Sequence, residues 1–133
     1  MFTILRPLNV VARMDCPNVI LDADIPKMEI SGKSFPPDVF LFYDPVINWL
    51  DEYLKNPLKE TVFELKLDYF NTASSKVLLD ILFKFREINN KGLSILIKWY
   101  YPDDDEDMME TGLQYAMMTR LPFEHIAYST EFK

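Results

Sequence analysis

The sequence has very little of the chemistry that metal sites and thiol sites require. Cys16 is the only cysteine and His125 the only histidine among 133 residues. A single cysteine excludes an internal disulfide and a zinc site built from several thiolates. Nothing in the spacing links Cys16 and His125 as a nucleophile and its base. We therefore expect a buried or incidental thiol at Cys16, a structural or surface role for His125, and no metal or cofactor.

Glycine is equally scarce, and Gly32, Gly92 and Gly112 stand alone in the sequence. They form no glycine-rich phosphate-binding loop, and no GxSxG, HExxH or CxxC motif is present. Carboxylates are plentiful, but none is paired with a base in a recognisable pattern. The sequence therefore favours a protein that is not an enzyme, and we assign no catalytic residue.

Positive charge is in deficit, since 14 Lys and Arg stand against 21 Asp and Glu for a net charge of -7. Nucleic acids and anionic membrane surfaces bind clustered basic side chains, and the sequence has no basic stripe. No apolar run approaches the roughly 20 residues that span a bilayer. Arg6 and Pro7 also interrupt the start before a signal-peptide core could form. We expect a cytoplasmic protein that binds neither nucleic acid nor membrane.

What the sequence does contain is the composition of one folded domain, with 49% hydrophobic and 14% aromatic residues. Residues 1–15 alternate poorly and are predicted to form an N-terminal extension or arm, or an edge element, before a domain at 16–133. Two short extended runs around the turn at 23–26 indicate a β-hairpin. Helices and strands then alternate, which is typical of an α/β fold with a mixed, mainly parallel sheet packed with helices.

The helices differ in how clearly their sequences define them. The first begins either at Asp44, with Pro45 as its first residue, or at Asp38, in which case Pro45 lies inside it and should kink it. A long helix after the strand at 61–70 has predicted core positions Leu78, Ile81, Leu82, Phe85 and Ile88, and Gly92 ends it. After the strand at 93–101, a last helix has apolar residues at Met109, Leu113, Ala116 and Met117, and a strand at 123–128 follows.

The segment Asn71-Thr72-Ala73-Ser74-Ser75-Lys76 lies where a predicted strand ends and a predicted helix begins. Asn, Thr and Ser are common helix caps because their side-chain oxygens accept the free N–H groups of the first turn, and this is the simpler interpretation. The same N–H groups and the helix dipole would also accept a phosphoryl group on Thr72, Ser74 or Ser75. The two interpretations are compatible.

The acidic run 103–107 and the methionines around it are less specific. Acidic residues complement the dipole at a helix start, so a solvated helix entry is the simpler interpretation of the run. A small-ligand or metal-binding domain is the alternative function, although the ligand spacing of a calcium loop is missing; a docking surface for a basic partner is more plausible. The methionines are either core residues or an adaptable binding face, and they comprise Met108, Met109, Met117 and Met118.

Several segments resemble the SiaC family of bacterial regulatory phosphoproteins, which are similar to STAS domains. The resemblance begins near Cys16 and rests on residues 30–38, 49–54, 69–80 and 99–108. The block at 69–80, which contains Asn71 to Lys76, is the most specific because several unusual residues recur there in order. The resemblance implies a STAS-like single domain.

The family resemblance also implies a partner-switching role. Such proteins are phosphorylated by a cognate kinase and dephosphorylated by a metal-dependent Ser/Thr phosphatase, and the unphosphorylated form binds an effector such as a diguanylate cyclase. The modified threonine of the family corresponds to Thr72, within a partner-binding segment formed by Asn71 to Lys76. Ala73 departs from the usual serine of the family, as Pro37-Asp38 departs from its Glu-Asn, and Ser74 and Ser75 are therefore kept as reserve acceptors.

Overall fold

Six strands form one sheet in which the spatial order of the strands is their order along the chain. The computed structural model describes residues 5–130. Strands β1 to β3 pair antiparallel, and β3 to β6 pair parallel. The sheet is therefore mixed and mainly parallel, as predicted, with the predicted hairpin at β2–β3. The strands are β1 (Leu8–Val10), β2 (Asn18–Asp22), β3 (Lys27–Ser34), β4 (Glu60–Phe70), β5 (Ser94–Pro102) and β6 (Phe123–Tyr128).

Part of the predicted N-terminal extension, arm or edge element belongs to the sheet. β1 lies in this segment and is the edge strand beside β2. Leu5 and Leu8 pack against the core, and the Trp49 indole N–H donates to the Arg6 carbonyl at 2.8 Å. Residues 5–10 therefore contact the domain directly. Residues 1–4 of the predicted extension and residues 131–133 of the predicted domain lie outside the described residues.

In the described part of the chain, four helices connect and cover the strands: α1 (Val39–Tyr53), α2 (Thr72–Lys84), α3 (Arg86–Asn90) and α4 (Glu106–Thr119). The earlier of the two predicted starts is correct for α1, because the Asp38 carboxylate accepts the Leu41 N–H at 3.1 Å. Pro45 lies inside α1, where it has no N–H to donate to the carbonyl four residues before it. No helix among residues 5–130 is long and apolar enough to cross a membrane.

The predicted long helix after β4 is two helices, α2 and α3, separated at Phe85. Gly92 follows α3 with φ of 77°, a left-handed conformation that glycine adopts without strain. The predicted core positions are nevertheless correct, because their helical spacing continues through the break. All five are buried: Leu78, Ile81, Leu82, Phe85 and Ile88.

One face of the sheet is buried beneath the helices and the other carries charged side chains. In β4, Phe63, Leu65 and Leu67 are buried, whereas Glu64 and Lys66 between them lie on the other face. This alternation is the period of two that a half-buried strand requires. The Thr72 segment follows directly from this half-buried strand.

The structure decides which apolar residues of α4 belong to the core, a choice that the sequence left open. The helix buries Met108, Gly112, Tyr115 and Thr119, whereas Leu113 is 45% exposed and Met117 is 77% exposed. The cause is the buried Trp99 of β5, whose indole N–H donates to the Met108 carbonyl at 3.0 Å. Trp99 lies so close to Gly112 that only a residue without a side chain fits there.

Candidate functional site

The segment Asn71–Lys76 forms the junction between β4 and α2. Asn71 is the N-cap of α2, and its side-chain oxygen accepts the Ser74 N–H at 2.9 Å. Thr72 is the first residue of the helix. The cap expected from the sequence is therefore confirmed, and it is made by Asn71 and not by the hydroxyls of Thr72, Ser74 or Ser75.

The three hydroxyl groups of this turn differ in accessibility. Thr72 is exposed, and its hydroxyl makes no hydrogen bond with the rest of residues 5–130. The Ser75 hydroxyl donates to the Thr72 carbonyl at 2.8 Å. Ser74 is fully buried, with its hydroxyl 2.8 Å from that of Ser34. Thr72 is thus the hydroxyl that a modifying enzyme can reach without competing with a hydrogen bond of the fold.

The expectation that Ser74 is a reserve acceptor is therefore corrected. A kinase cannot reach a side chain that has no exposed surface, and phosphorylation would require α2 to leave the core. The sequence did contain the signal, because Ser74 lies three and four residues before the buried Val77 and Leu78. This helical spacing places Ser74 on the core face, whereas Thr72 and Lys76 share the exposed face.

A buried group of hydroxyls holds the inner side of the turn. The Ser34 hydroxyl lies between those of Ser74 and Tyr43, at 2.8 and 2.7 Å. The backbone N–H of Asn71 also donates to the Ser34 carbonyl at 3.1 Å. These contacts connect the end of β3, helix α1 and the start of α2. Burial raises the pKa of Tyr43 to about 12, so its phenol stays neutral at physiological pH.

Tyr115 of α4 supports the turn from a third direction. Its hydroxyl donates to the Ser75 carbonyl at 2.7 Å. Burial raises the pKa of Tyr115, so it too remains a hydrogen-bond donor. Ser34, Tyr43 and Tyr115 were not identified as supporting residues from the sequence, because they contact the turn from positions up to 40 residues away.

The outer side of the turn is suited to an anion. The Ser74 N–H is capped, and the Ser75 N–H donates to the Asn71 carbonyl at 2.9 Å. The N–H groups of Thr72 and Ala73 have no acceptor within residues 5–130. The first turn has no acidic residue, and Lys76 is exposed one helical turn beyond Thr72. These groups and the positive end of the helix dipole would stabilise a phosphoryl group on Thr72.

The acidic run 103–107 forms the predicted helix entry. Asp105 caps α4 by accepting the Met108 N–H at 3.0 Å, and Glu106 and Asp107 lie in the first turn. No group of three or more His, Cys, Asp or Glu side chains in the described part of the chain is arranged to hold a metal ion. The alternative function as a metal-binding domain therefore has no site to support it here.

The remaining candidate residues take structural positions. Cys16 is buried, with its thiol 3.2 Å from the Asp15 carboxylate, and burial raises its pKa. His125 stacks on Phe123 with a centroid distance of 5.5 Å, and burial lowers the pKa of its imidazole. Trp99 is buried in the core. Within residues 5–130, none of these side chains forms a hydrogen bond with the Thr72 turn.

Comparison with known proteins identifies relatives of the whole domain. A model of the SiaC family of regulatory phosphoproteins matches residues 10–128. An uncharacterized protein of Pseudomonas aeruginosa strain UCBPP-PA14 is 24% identical over 116 residues, which are 87% of this chain and 92% of that protein. The family resemblance seen in the sequence is thus confirmed.

Solved structures have the same fold. Apo-SiaC of P. aeruginosa matches with a TM-score of 0.80 at 22% identity, covering 92% of this chain and 99% of that chain. A chain from the crystal structure of the diguanylate cyclase SiaD in complex with its activator SiaC, also from P. aeruginosa, matches with a TM-score of 0.83. It is 24% identical and covers 91% of this chain and 99% of that chain. The predicted α/β architecture is therefore shared with solved SiaC structures.

Proposed function

The chain belongs to the SiaC family of regulatory phosphoproteins, and we propose that it is a cytoplasmic partner-switching protein controlled by phosphorylation of Thr72. It acts by binding other proteins and catalyses no reaction itself. The surface around Asn71–Lys76 is the part of the protein that its partners distinguish. A STAS-like relationship of the fold, implied by the family, is part of this proposal.

The assignment of Thr72 as the phosphorylated residue rests on one observation. Among the three hydroxyls of the turn, that of Thr72 is exposed and makes no hydrogen bond, whereas those of Ser74 and Ser75 are hydrogen-bonded. A phosphoryl group adds a charge of about −2 at neutral pH. On Thr72 this charge lies on the outer side of the turn, while the contacts of Ser34, Tyr43 and Tyr115 hold the inner side. The modification would therefore change the surface without unfolding the domain.

Three kinds of partner follow from this proposal. A cognate protein kinase phosphorylates Thr72, and a metal-dependent Ser/Thr phosphatase reverses the reaction. The unphosphorylated form binds and controls an effector such as a diguanylate cyclase, because a turn without a phosphoryl group can pack against a partner without desolvating a dianion. The similar P. aeruginosa SiaC, described as the activator of the cyclase SiaD in their complex, supports an effector of this kind.

The modification is tested by mass spectrometry of the protein isolated from its native cell. We expect an addition of about 80 Da that peptide mapping assigns to Thr72 and that a metal-dependent phosphatase removes. The addition should disappear in Thr72→Ala and persist in Ser75→Ala. Phosphate on Ser75 in place of Thr72 would refute the assignment.

The switch is tested by effector binding. Thr72→Ala should bind the effector as the unmodified protein does, and Thr72→Asp should bind more weakly. Ser94→Asp is the matched control, because Ser94 is exposed at the start of β5, at the opposite end of the parallel strands from the Thr72 turn. If Thr72→Asp and Ser94→Asp bind the effector equally well, charge at Thr72 does not control this protein.

A further inference from the structure

Helix α4 has an apolar stripe that faces solvent. Met109, Leu113, Ala116 and Met117 follow helical spacing, but the helix buries a different face against Trp99. Leu113 is 45% exposed and Met117 is 77% exposed. Leucine and methionine at such spacing normally pack against another element. No element of the described residues covers them, so the helix has a second apolar face without a partner.

The position of Tyr115 shows which way this stripe faces. Tyr115 lies on the side of α4 next to α2, because its hydroxyl contacts the Ser75 carbonyl. At about 100° per residue, the stripe lies roughly 100 to 200° around the helix from Tyr115. It therefore faces away from α2 and from the Thr72 turn. Leu113 and Met117 are accordingly exposed on the outer side of α4.

The charged side chains of the same line that lie within the helix are acidic, and Arg120 follows Met117 as the C-cap. Glu106 and Glu110 continue the line of Leu113 and Met117 toward the start of α4, at spacings of four, three and four residues. Helix α4 contains three acidic residues and no Lys, Arg or His. Neither Glu106 nor Glu110 forms an ion pair within residues 5–130. The exposed line is thus acidic in its first half and apolar in its second half.

We infer that Glu106, Glu110, Leu113 and Met117, here called the α4 surface, bind a basic amphipathic helix of a partner protein. Large apolar side chains of the partner would cover Leu113 and Met117, and methionine adapts its shape to such anchors. Lys or Arg one or two turns away along the partner helix would contact Glu106 and Glu110. This surface is separate from the Thr72 turn, so its existence does not depend on phosphorylation.

A second copy of this chain fits the α4 surface less well. In a symmetric pair the same patch meets itself, so an antiparallel contact places Glu106 and Glu110 of one copy against the apolar half of the other. Each copy could offer these two carboxylates one basic side chain from the same line, Arg120 at the C-cap, whereas a basic partner helix can supply a cation for each carboxylate. A parallel contact would place carboxylates against carboxylates. The charge pattern therefore favours a partner of opposite charge.

The inference is tested with a designed helical peptide of about 18 residues, which has leucines along one face and lysines beside them. NMR spectra of the isotopically labelled full-length chain should show peptide-induced shifts in Glu106–Arg120 and none in Asn71–Lys76. Fluorescence anisotropy should give weak, saturable binding. Leu113→Ser combined with Met117→Ser should weaken binding by at least about tenfold. Met14→Ser removes an apolar side chain that is 86% exposed elsewhere and should have no effect.

Charge reversal separates specific docking from general attraction to an acidic protein. Glu106→Lys combined with Glu110→Lys should bind the lysine peptide about tenfold more weakly and a glutamate version of the peptide more tightly. Asp24→Lys, a change at an exposed carboxylate outside this surface, should leave the affinity for both peptides unchanged. Circular dichroism checks that every variant is folded, and Thr72→Asp should bind the lysine peptide with unchanged affinity.

Three results would overturn the inference. The first is equal binding of the lysine and glutamate peptides by the wild-type chain, and the second is peptide-induced shifts that lie outside α4. The third is a dimer in light scattering that Met117→Glu converts to a monomer, because the α4 surface would then be covered by a second copy. None of these results bears on whether Thr72 is phosphorylated.

Discussion

The contact between Gly112 and Trp99 sets two opposing effects against each other when Gly112 is replaced by alanine. Alanine is the better helix former, and at an unhindered position inside α4 the change would stabilise the protein by about 1 kcal/mol. However, a methyl group at Gly112 would lie 2.5 to 2.8 Å from three atoms of the Trp99 indole. Non-bonded carbon atoms normally stay about 3.5 to 4.0 Å apart, so one of the two residues must move.

Trp99 has little freedom to move. It is 1% exposed, its N–H donates to the Met108 carbonyl, and its ring contacts Phe70, Tyr115 and Phe123. Overpacking of such a core costs about 1 to 3 kcal/mol, and losing the indole hydrogen bond adds about 1 kcal/mol. The sum exceeds the gain in helix propensity. We therefore expect Gly112→Ala to lower the free energy of unfolding by about 2 kcal/mol.

Urea unfolding followed by circular dichroism measures this difference. A loss of about 2 kcal/mol should lower the urea midpoint by about 1 M. Gln114→Ala, an exposed change in the same helix, should leave the midpoint nearly unchanged. If Gly112→Ala raises the midpoint, helix propensity outweighs the Trp99 contact and our account of how α4 is positioned is wrong.

Three further predictions concern the turn and two titrating side chains. Asn71→Ala should destabilise the protein by about 1 kcal/mol because the Ser74 N–H loses its cap, and Asn71→Asp should not; equal urea midpoints for the two variants would contradict the cap. Burial lowers the pKa of His125 from its usual 6.5, so the unfolded chain takes up a proton first and stability falls as the pH drops below about 6.5. In urea titrations His125→Gln should flatten this slope, and an unchanged slope would exclude His125 as its source. The pKa of Tyr43 is raised from 10.0 to about 12, so stability should fall as the pH rises through this range. Tyr43→Phe should reduce that alkaline loss, and an identical loss would show that Tyr43 does not ionise on unfolding.

The elements that the sequence predicts well are those whose pattern depends on a single buried face. Phe63, Leu65 and Leu67 alternate in β4, and Leu78 and Ile81 follow helical spacing in α2. In both cases the apolar residues lie on one face, and that face is the one that the core buries. The period of the pattern then decides both the element and its orientation.

Helix α4 shows where this reasoning fails. The helix has two apolar faces, and the sequence pattern leaves open whether the one at Leu113 and Met117 is a core face or a binding face. The structure buries the face that contains Gly112 and Tyr115 instead. The decisive partner is Trp99, which belongs to another strand, and contacts between elements cannot be deduced from periodicity within one of them.

In the candidate site, too, helical spacing predicts one feature and contacts between elements decide another. Helical spacing alone places Thr72 on the exposed side of α2 and Ser74 on the buried side, so the choice between these hydroxyls could have been made from the sequence. The support of the turn could not, because it comes from Ser34, Tyr43 and Tyr115 on three other elements. Since these contacts lie on the inner side, a charge added at Thr72 would meet solvent or a partner and not the core. This separation of an inner, fixed side from an outer, modifiable side is what makes the turn suitable for a switch.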